Sequence, residues 1–367
     1  MKKDIRILLI SMVCCFVVNM PSNAGVGVKY VDANQFPLYG KVYEDSNPRY
    51  NRIPAGLANG LRAPLGNLGT NSSGLAIRFR SNSTSVGVKW INTGNVSMSH
   101  MTPTAVRGMD LYCWQNNAWL YVGSAKPTSP DTCQFTLIAN MIPEMREYIL
   151  YLPLYDGIKM LEIGIDGNSE ISSPHLDKPN RNKPIVFYGS SIMQGCSASR
   201  PGMSITNILS RRLNHEIIDL GFSGNAFLDY EIARMMADVD ASVYVMDNIP
   251  NSSVTQIHER TCNFVSILRS NHKDVPIVFV EDPMSPQAVF NFKTKSVIEE
   301  KNQALRDEYT KLCRSGVKNI YYITSDEITC QGCDGTVDGI HFTDVSFTHY
   351  CDVIMPLLSK LLNKNSK

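Results

Sequence analysis

Charge is scarce in this 367-residue chain: Lys, Arg, Asp and Glu supply 19% of residues and nearly cancel, leaving a formal net charge of +1. Soluble domains carry roughly 25%. A chain without a basic field has little hold on a polyanion, which excludes nucleic acid or an anionic membrane as its main partner. Acidic and basic residues are interspersed, so no charged tail hides behind the average. Past the N-terminus no apolar run is long enough for a transmembrane helix, and no internal repeat or low-complexity tract occurs. Cys-x-x-Cys occurs once, as Cys330-Gln-Gly-Cys333, with no second pair and no Cys/His cluster at ligand spacing, which argues against zinc. What remains is a chain 43% hydrophobic, apolar enough to exclude global disorder. Its length suggests about two domains.

The N-terminus reads as an address. Lys2, Lys3 and Arg6 precede an apolar run from Ile7 to Val18, too short to span a bilayer comfortably, and Ser22-Asn23-Ala24 offers small residues at a cleavage site. Residues 1–24 are therefore expected to be a signal peptide, and the mature protein to be periplasmic or extracellular without a membrane span. A membrane anchor is the weaker reading. A lipoprotein would use Cys14 or Cys15, and neither follows the small residue such a site needs. Export leaves eight of the ten cysteines, and Cys330–Cys333 is the favoured local bridge in an oxidising compartment.

Two halves follow with different periods. Over residues 25–172 short strands such as Leu75–Arg80 and Ser85–Trp90 alternate with Asn/Ser/Gly/Thr breaks, and a hairpin is expected around Gln115-Asn116-Asn117. That pattern predicts an all-β sandwich or jelly roll. Residues 173–184, with Pro174, Pro179 and Pro184, read as a linker. From 185 to 367 apolar strands (Ile185–Tyr188, Glu216–Leu220, Ser242–Met246, Pro276–Val280, Asn319–Ile323) alternate with helical stretches, one opened by the capping-box pattern Ser296-x-x-Glu299. Alternation of this kind predicts an α/β domain with a parallel sheet covered on both faces. Its ligand site belongs beyond the carboxyl ends of the strands.

Four strand ends and late loops carry polar residues able to do chemistry. Ser191, in Tyr188-Gly-Ser-Ser-Ile-Met-Gln-Gly195, can present a hydroxyl at the top of the sheet beside free backbone N–H groups, although Gly/Ser turns are common there. Gly224 permits close approach of backbone to a ligand, and is otherwise a loop glycine. Asn248 and Asn251 offer amides at the same rim, or an Asx turn before Ser252. Asp338 stands three residues before His341 and can orient its imidazole. A lone histidine is more often a capped loop residue, so the order of the four sites carries the argument.

In this order the residues resemble the SGNH hydrolases, also called GDSL-type esterases, over about residues 183 to 364. Gly189-Ser190-Ser191 stands where the family often has Gly-Asp-Ser. The resemblance implies a flavodoxin-like three-layer sandwich with a five-stranded parallel sheet. It further implies Ser191 as nucleophile, His341 as base and Asp338 as its partner. The oxyanion would be held by the N–H groups of Ser191 and Gly224 and the amide of Asn251, with Asn248 in reserve, because the third block departs from the usual Gly-x-Asn-Asp. Gly108-Met-Asp-Leu-Tyr112 resembles the Gly-x-Asp-Leu-Tyr signature of a β-domain preceding one secreted branch, and Ser199-Arg-Pro-Gly202 resembles a run that the same branch tends to show after the nucleophile.

That branch implies a carboxylic ester hydrolase taking acyl groups, acetyl foremost, from a small molecule or saccharide, with no metal or organic cofactor. A lipase-like or platelet-activating-factor-acetylhydrolase-like ester hydrolase is the first alternative. A carbohydrate-binding protein with an inactive hydrolase half is the second. Arg200 is read equally as lining the cleft or as an ion-pair partner. Asp110 and Tyr112 are read as structural, and the tryptophans as core. His100 lies in a β-half loop within possible reach of a substrate and is assigned no role.

Overall fold

The computed structural model describes residues 27–175, 180–330 and 334–365. The expected signal peptide and the Cys330–Cys333 bridge fall at least partly outside them. Cys330 itself is disulfide-bonded.

Two antiparallel sheets form the N-terminal half. One runs β1 (Val28–Asp32), β9 (Ile158–Asp166), β4 (Val86–Asn92), β7 (Thr132–Ile138). The other runs β10 (Ile171–Ser172), β3 (Ala76–Ser81), β8 (Arg146–Tyr151), β5 (Met109–Gln115), β6 (Ala118–Ala125), with β2 (Leu38–Tyr39) beside β3. Period-two burial on β4 puts Val86, Val88 and Trp90 into the core between the sheets, with Phe79, Leu111, Leu150 and Ile163. The hairpin joining β5 to β6 turns on Asn116 (φ 53°) and Asn117 (φ 60°). Two consecutive left-handed residues are what a tight hairpin of matching twist needs, and asparagine tolerates them.

The C-terminal half is a parallel sheet in the order β12 (His215–Gly221), β11 (Asn180–Gly189), β13 (Val243–Asp247), β14 (Ile277–Val280), β15 (Ile320–Ile323). Alternate residues of β11 face opposite layers. Val186 and Tyr188 pack under the helices Tyr230–Ala237, Val254–Asn271 and Phe292–Arg314, whereas Ile185 and Phe187 pack under Ile205–Leu213 and Asp344–Asn365. β11 is the first strand of the sheet in the chain and lies between the second and third, so the order reverses there and its carboxyl end is the crevice where such sheets bind ligands.

Two details differ from the sequence reading. The strand before the site starts at Asn180, within the segment read as linker, and its pairing slips between Asn180 and Ile185. Pro184 falls in that irregularity, where a strand tolerates a missing donor. The long helix starts at Phe292 rather than Ser296. Asn291 caps it by accepting the Thr294 N–H at 3.1 Å, and Ser296, already inside, bonds Glu300 instead.

The halves are joined by buried polar contacts. Asp110, fully buried in the β-half, accepts hydrogen bonds from the Arg200 guanidinium (2.7 Å), the Gly202 N–H (2.7 Å) and Ser124 Oγ (2.6 Å), and Arg200 also reaches the Tyr112 hydroxyl. The Gly-x-Asp-Leu-Tyr and Ser-Arg-Pro-Gly signatures are therefore two sides of one contact. A side chain at Gly202 would strike the Tyr112 ring, its Cβ falling 2.5 Å from the hydroxyl. Arg200 is thus an ion-pair partner, and Asp110 and Tyr112 are structural. Asp110→Ala should lower unfolding free energy by about 2 kcal/mol, because it leaves a half-buried guanidinium and the buried Gly202 N–H without their acceptor. Denaturant titration measures this, and a loss under about 1 kcal/mol would mean the contact is solvated.

Candidate functional site

The site begins where β11 ends. Gly189 pairs with Gly221 on one side and Asp247 on the other, and a Cβ on it would come within 2.8 Å of both the Asp247 carbonyl oxygen and Met193. Only glycine lets the chain turn there. Ser190 Oγ then accepts the Ile192 N–H at 3.3 Å, capping the short helix Ser191–Gln194, which Gly195 closes at φ +94°. Ser190 stands in the acidic position of the Gly-Asp-Ser pattern, and in this protein that position caps a helix. Ser191, the first residue of that helix, is 7% exposed.

His341 approaches from the other end of the chain. Asp338 Oδ1 accepts the backbone N–H groups of Ile340 (3.0 Å) and His341 (2.8 Å), while Oδ2 lies 2.7 Å from His341 Nδ1. One carboxylate thereby fixes the turn and the ring together, with Gly339 at φ +90° making the turn possible. The other ring nitrogen, Nε2, lies 3.0 Å from Ser191 Oγ. The structure thus brings together Ser191, His341 and Asp338 in an unbroken chain of contacts.

Ionisation is tuned within this chain. Burial pushes the Asp338 carboxyl up, but hydrogen bonds from the His341 N–H and ring and from the Ile340 N–H outweigh it and hold the pKa at about 2. His341 is raised to about 9, first by a hydrogen bond with Cys196, then, against desolvation, by Asp338.

Gly224, at φ +66°, has open space where a side chain would be, and its N–H meets no acceptor among the described residues. Its loop is held by the preceding Ser223 N–H, which donates to Gln194 Oε1 at 3.0 Å. Asn251 Oδ1 accepts the Ala226 N–H at 3.2 Å, tying Asn251 to the same loop and leaving its NH₂ without an acceptor among the described residues. Asn248 is buried and donates to Ser252 Oγ at 3.0 Å. Its amide is spent within its own turn, which favours Asn251 of the two.

Four neighbours were not assigned from sequence. Gln194 is fully buried and donates to Asn71 Oδ1 and the Leu154 carbonyl, so it links the serine helix to the β-half. Tyr155 donates to the Ser191 carbonyl at 3.5 Å. Cys196, 1% exposed, lies 3.2 Å from His100 Nε2, and the His100 ring stacks on His341 with centroids 5.2 Å apart. His100, Cys196 and His341 are a group among the described residues whose ligand atoms converge closely enough to hold a metal ion. They are far apart in sequence, so no spacing rule could have found them. Beside the serine, a mostly apolar pocket of about 400 Å³ is lined by Ile192, Met284, Ile298, Ile340 and Phe342.

The chain matches the GDSL-like lipase/acylhydrolase family over residues 182–359, and the N-terminal domain of SGNH-hydrolase-type esterases, called GxDLY, over residues 28–171. A protein of Bacteroides ovatus assigned as a GDSL-like lipase is 36% identical, with a TM-score of 0.87 covering 92% of this chain and 98% of its own. The chain belongs to the GDSL-like lipase/acylhydrolase family. More distant structures share the fold of this GDSL-like hydrolase. A salicylyl-acyltransferase from a tetracycline biosynthetic pathway is 16% identical (TM-score 0.75; 91% of this chain, 98% of that one). A family two carbohydrate esterase from Clostridium thermocellum, solved with cellohexaose, is 14% identical (TM-score 0.56; 80% of this chain, 93% of that one). The curated proteins contain no match.

In a GDSL-like hydrolase the base must be neutral to take a proton. A histidine raised to about 9 is mostly charged at neutral pH, so kcat/KM on an ester should climb through the neutral range with its midpoint near pH 9 and level off only above it. Cys196→Ala removes the first cause of the shift and should move that rise to lower pH. A midpoint near the ordinary histidine value of roughly 6.5 in the unmutated protein, or no movement in the variant, would contradict this reading of the site.

Proposed function

We propose that this hydrolase is an exported serine esterase that removes acyl groups, acetyl foremost, from a carbohydrate. The observation that carries the reading is the Ser191–His341–Asp338 chain, with contacts of 3.0 Å and 2.7 Å. Ser191 Oγ attacks the ester carbonyl as His341 Nε2 takes its proton, and Asp338 holds the ring in the required tautomer and stabilises its charged form. The oxyanion forms against the Ser191 and Gly224 N–H groups and the Asn251 amide. His341 returns the proton to the leaving alcohol, and the acyl-enzyme is then cleared by water through the same histidine. The sugar as substrate draws on the carbohydrate esterase likeness and on the near-zero net charge, which suits an uncharged ligand. Export rests on residues 1–24, and no described helix is long and apolar enough to cross a membrane.

A second reading has an observation of its own. The apolar pocket abutting Ile192 and Ile340 has room for an acyl group longer than acetyl, as a lipase-like ester hydrolase would need. A carbohydrate-binding role with an inactive hydrolase half leaves the serine–histidine–aspartate contacts without a purpose.

Release of acetate from acetylated oligosaccharides, set beside hydrolysis of butyryl and octanoyl aryl esters, separates these readings. The proposal expects acetate release to dominate and to fall by at least about 10³-fold in Ser191→Ala. Preference for octanoyl esters would transfer the assignment to the lipase-like reading. Full activity in Ser191→Ala would remove Ser191 from the mechanism.

A further inference from the structure

We propose that His100, Cys196 and His341 form a binding site for a soft divalent metal of the zinc class, and that its occupancy switches the hydrolase off. The ligand atoms of the three residues lie within 4.8 Å of one another, and His100 Nε2 and Cys196 Sγ are 3.2 Å apart. A tetrahedral zinc with bonds of about 2.3 Å to sulfur and about 2.0 Å to nitrogen holds its ligands about 3.3–3.6 Å apart. Small ring rotations close the difference. The donor set is one sulfur and two imidazoles with no carboxylate, which selects zinc, cobalt or copper over magnesium and calcium.

The surroundings already have the form of a metal site. Asp338 Oδ2 holds His341 Nδ1 at 2.7 Å, so Nε2, which faces Ser191 Oγ, is the ring nitrogen turned to an incoming ion. A carboxylate on the far nitrogen is the usual support of a metal-bound histidine, since it orients the ring and raises its basicity. The stacked ring of His100 keeps the second imidazole on the same side. Cys196 is anchored by its own N–H, which donates to the Ser191 carbonyl at 2.9 Å. The fourth position falls to water or to Ser191 Oγ, 3.0 Å from His341 Nε2.

Binding breaks no covalent bond of the chain and transfers no electrons. The Cys196 thiol gives its proton to solvent, Sγ and the two Nε2 atoms donate electron pairs to the ion, and any proton on His341 Nε2 is also released. The ion then occupies the lone pair that would accept the Ser191 proton. This inhibitory consequence rests on the serine-esterase reading above, whereas metal binding itself does not. His100 comes from the β-half and the other two residues from the α/β half, so the site forms only where the halves meet.

The test uses Co²⁺ as probe on the full, chelator-treated chain. One equivalent should produce a thiolate-to-cobalt charge-transfer band and the intense visible bands of a tetrahedral ion, and Zn²⁺ should displace both. Cys196→Ser should abolish the charge-transfer band, and His100→Gln should weaken Co²⁺ binding by at least about tenfold. Ser191→Ala should bind as the unmutated chain does. No charge-transfer band, or one that survives Cys196→Ser or is unweakened by His100→Gln, overturns the proposal. Should either variant fail to fold by circular dichroism, the other decides. Ester hydrolysis is followed in parallel, with Zn²⁺ expected to inhibit and chelator to restore it. An inactive chain that shows the band sinks the esterase reading and keeps the site. An active chain without the band does the reverse.

Discussion

The catalytic end of this protein depends on one buried amide. Gln194 closes the four-residue helix that Ser191 opens, and it is shut off from water. Its NH₂ donates to Asn71 and Leu154 of the β-half, while its oxygen accepts the Ser223 N–H beside Gly224. Every hydrogen-bonding capacity of the side-chain NH₂ is used, and each buried group left unmade would cost about 1–3 kcal/mol. The serine helix and the Gly224 loop therefore hold their positions only while the β-half is docked. Asp219 and Arg52 extend the same seam. The guanidinium donates to the Asp219 and Gly221 carbonyls, and Ser73 of the β-half donates to the Asp219 carboxylate. The β-half is thus part of the active-site scaffold rather than an appended module.

Electrostatics at the site follow from this enclosure. A carboxylate that accepts two N–H groups and a ring nitrogen stays charged. The imidazole beside it is stabilised in its charged form, which lowers the barrier to taking a proton and raises the pH at which the resting ring is neutral. Cys196 strengthens that shift from a position where it also meets His100. The same crowding of nitrogen and sulfur donors that tunes the base gives a soft metal a place to bind, so reactivity and susceptibility to metal have one structural cause.

Much of this was legible in the sequence because it is local. Short alternating or β-branched runs broken by Asn, Ser, Gly and Thr gave away the β-half, the apolar strands of residues 185–323 gave away the parallel sheet, and Asn116-Asn117 marked a hairpin whose backbone is left-handed at both positions. Ser191, Asp338 and His341 could be singled out because each sits in a short motif at a strand end or turn, and the structure brings the three into contact. What escaped was either long-range or competitive. Gln194, Tyr155, Cys196 and His100 act through contacts across the joint between the halves, and nothing within a few residues of each announces that. The start of the long helix was misplaced because two caps competed. Asn291 lies one turn ahead of Ser296, and nothing between them breaks a helix, so the earlier cap prevails.

The central claim is that Ser191 is an activated nucleophile made so by His341 across the sheet. A fluorophosphonate probe, applied to the full chain and mapped by peptide mass spectrometry, tests it most directly. The account predicts a single adduct on the peptide carrying Ser191, forming faster as pH rises toward 9 and absent in His341→Ala. Failure of the folded protein to react, or an adduct that persists in Ser191→Ala, would contradict it.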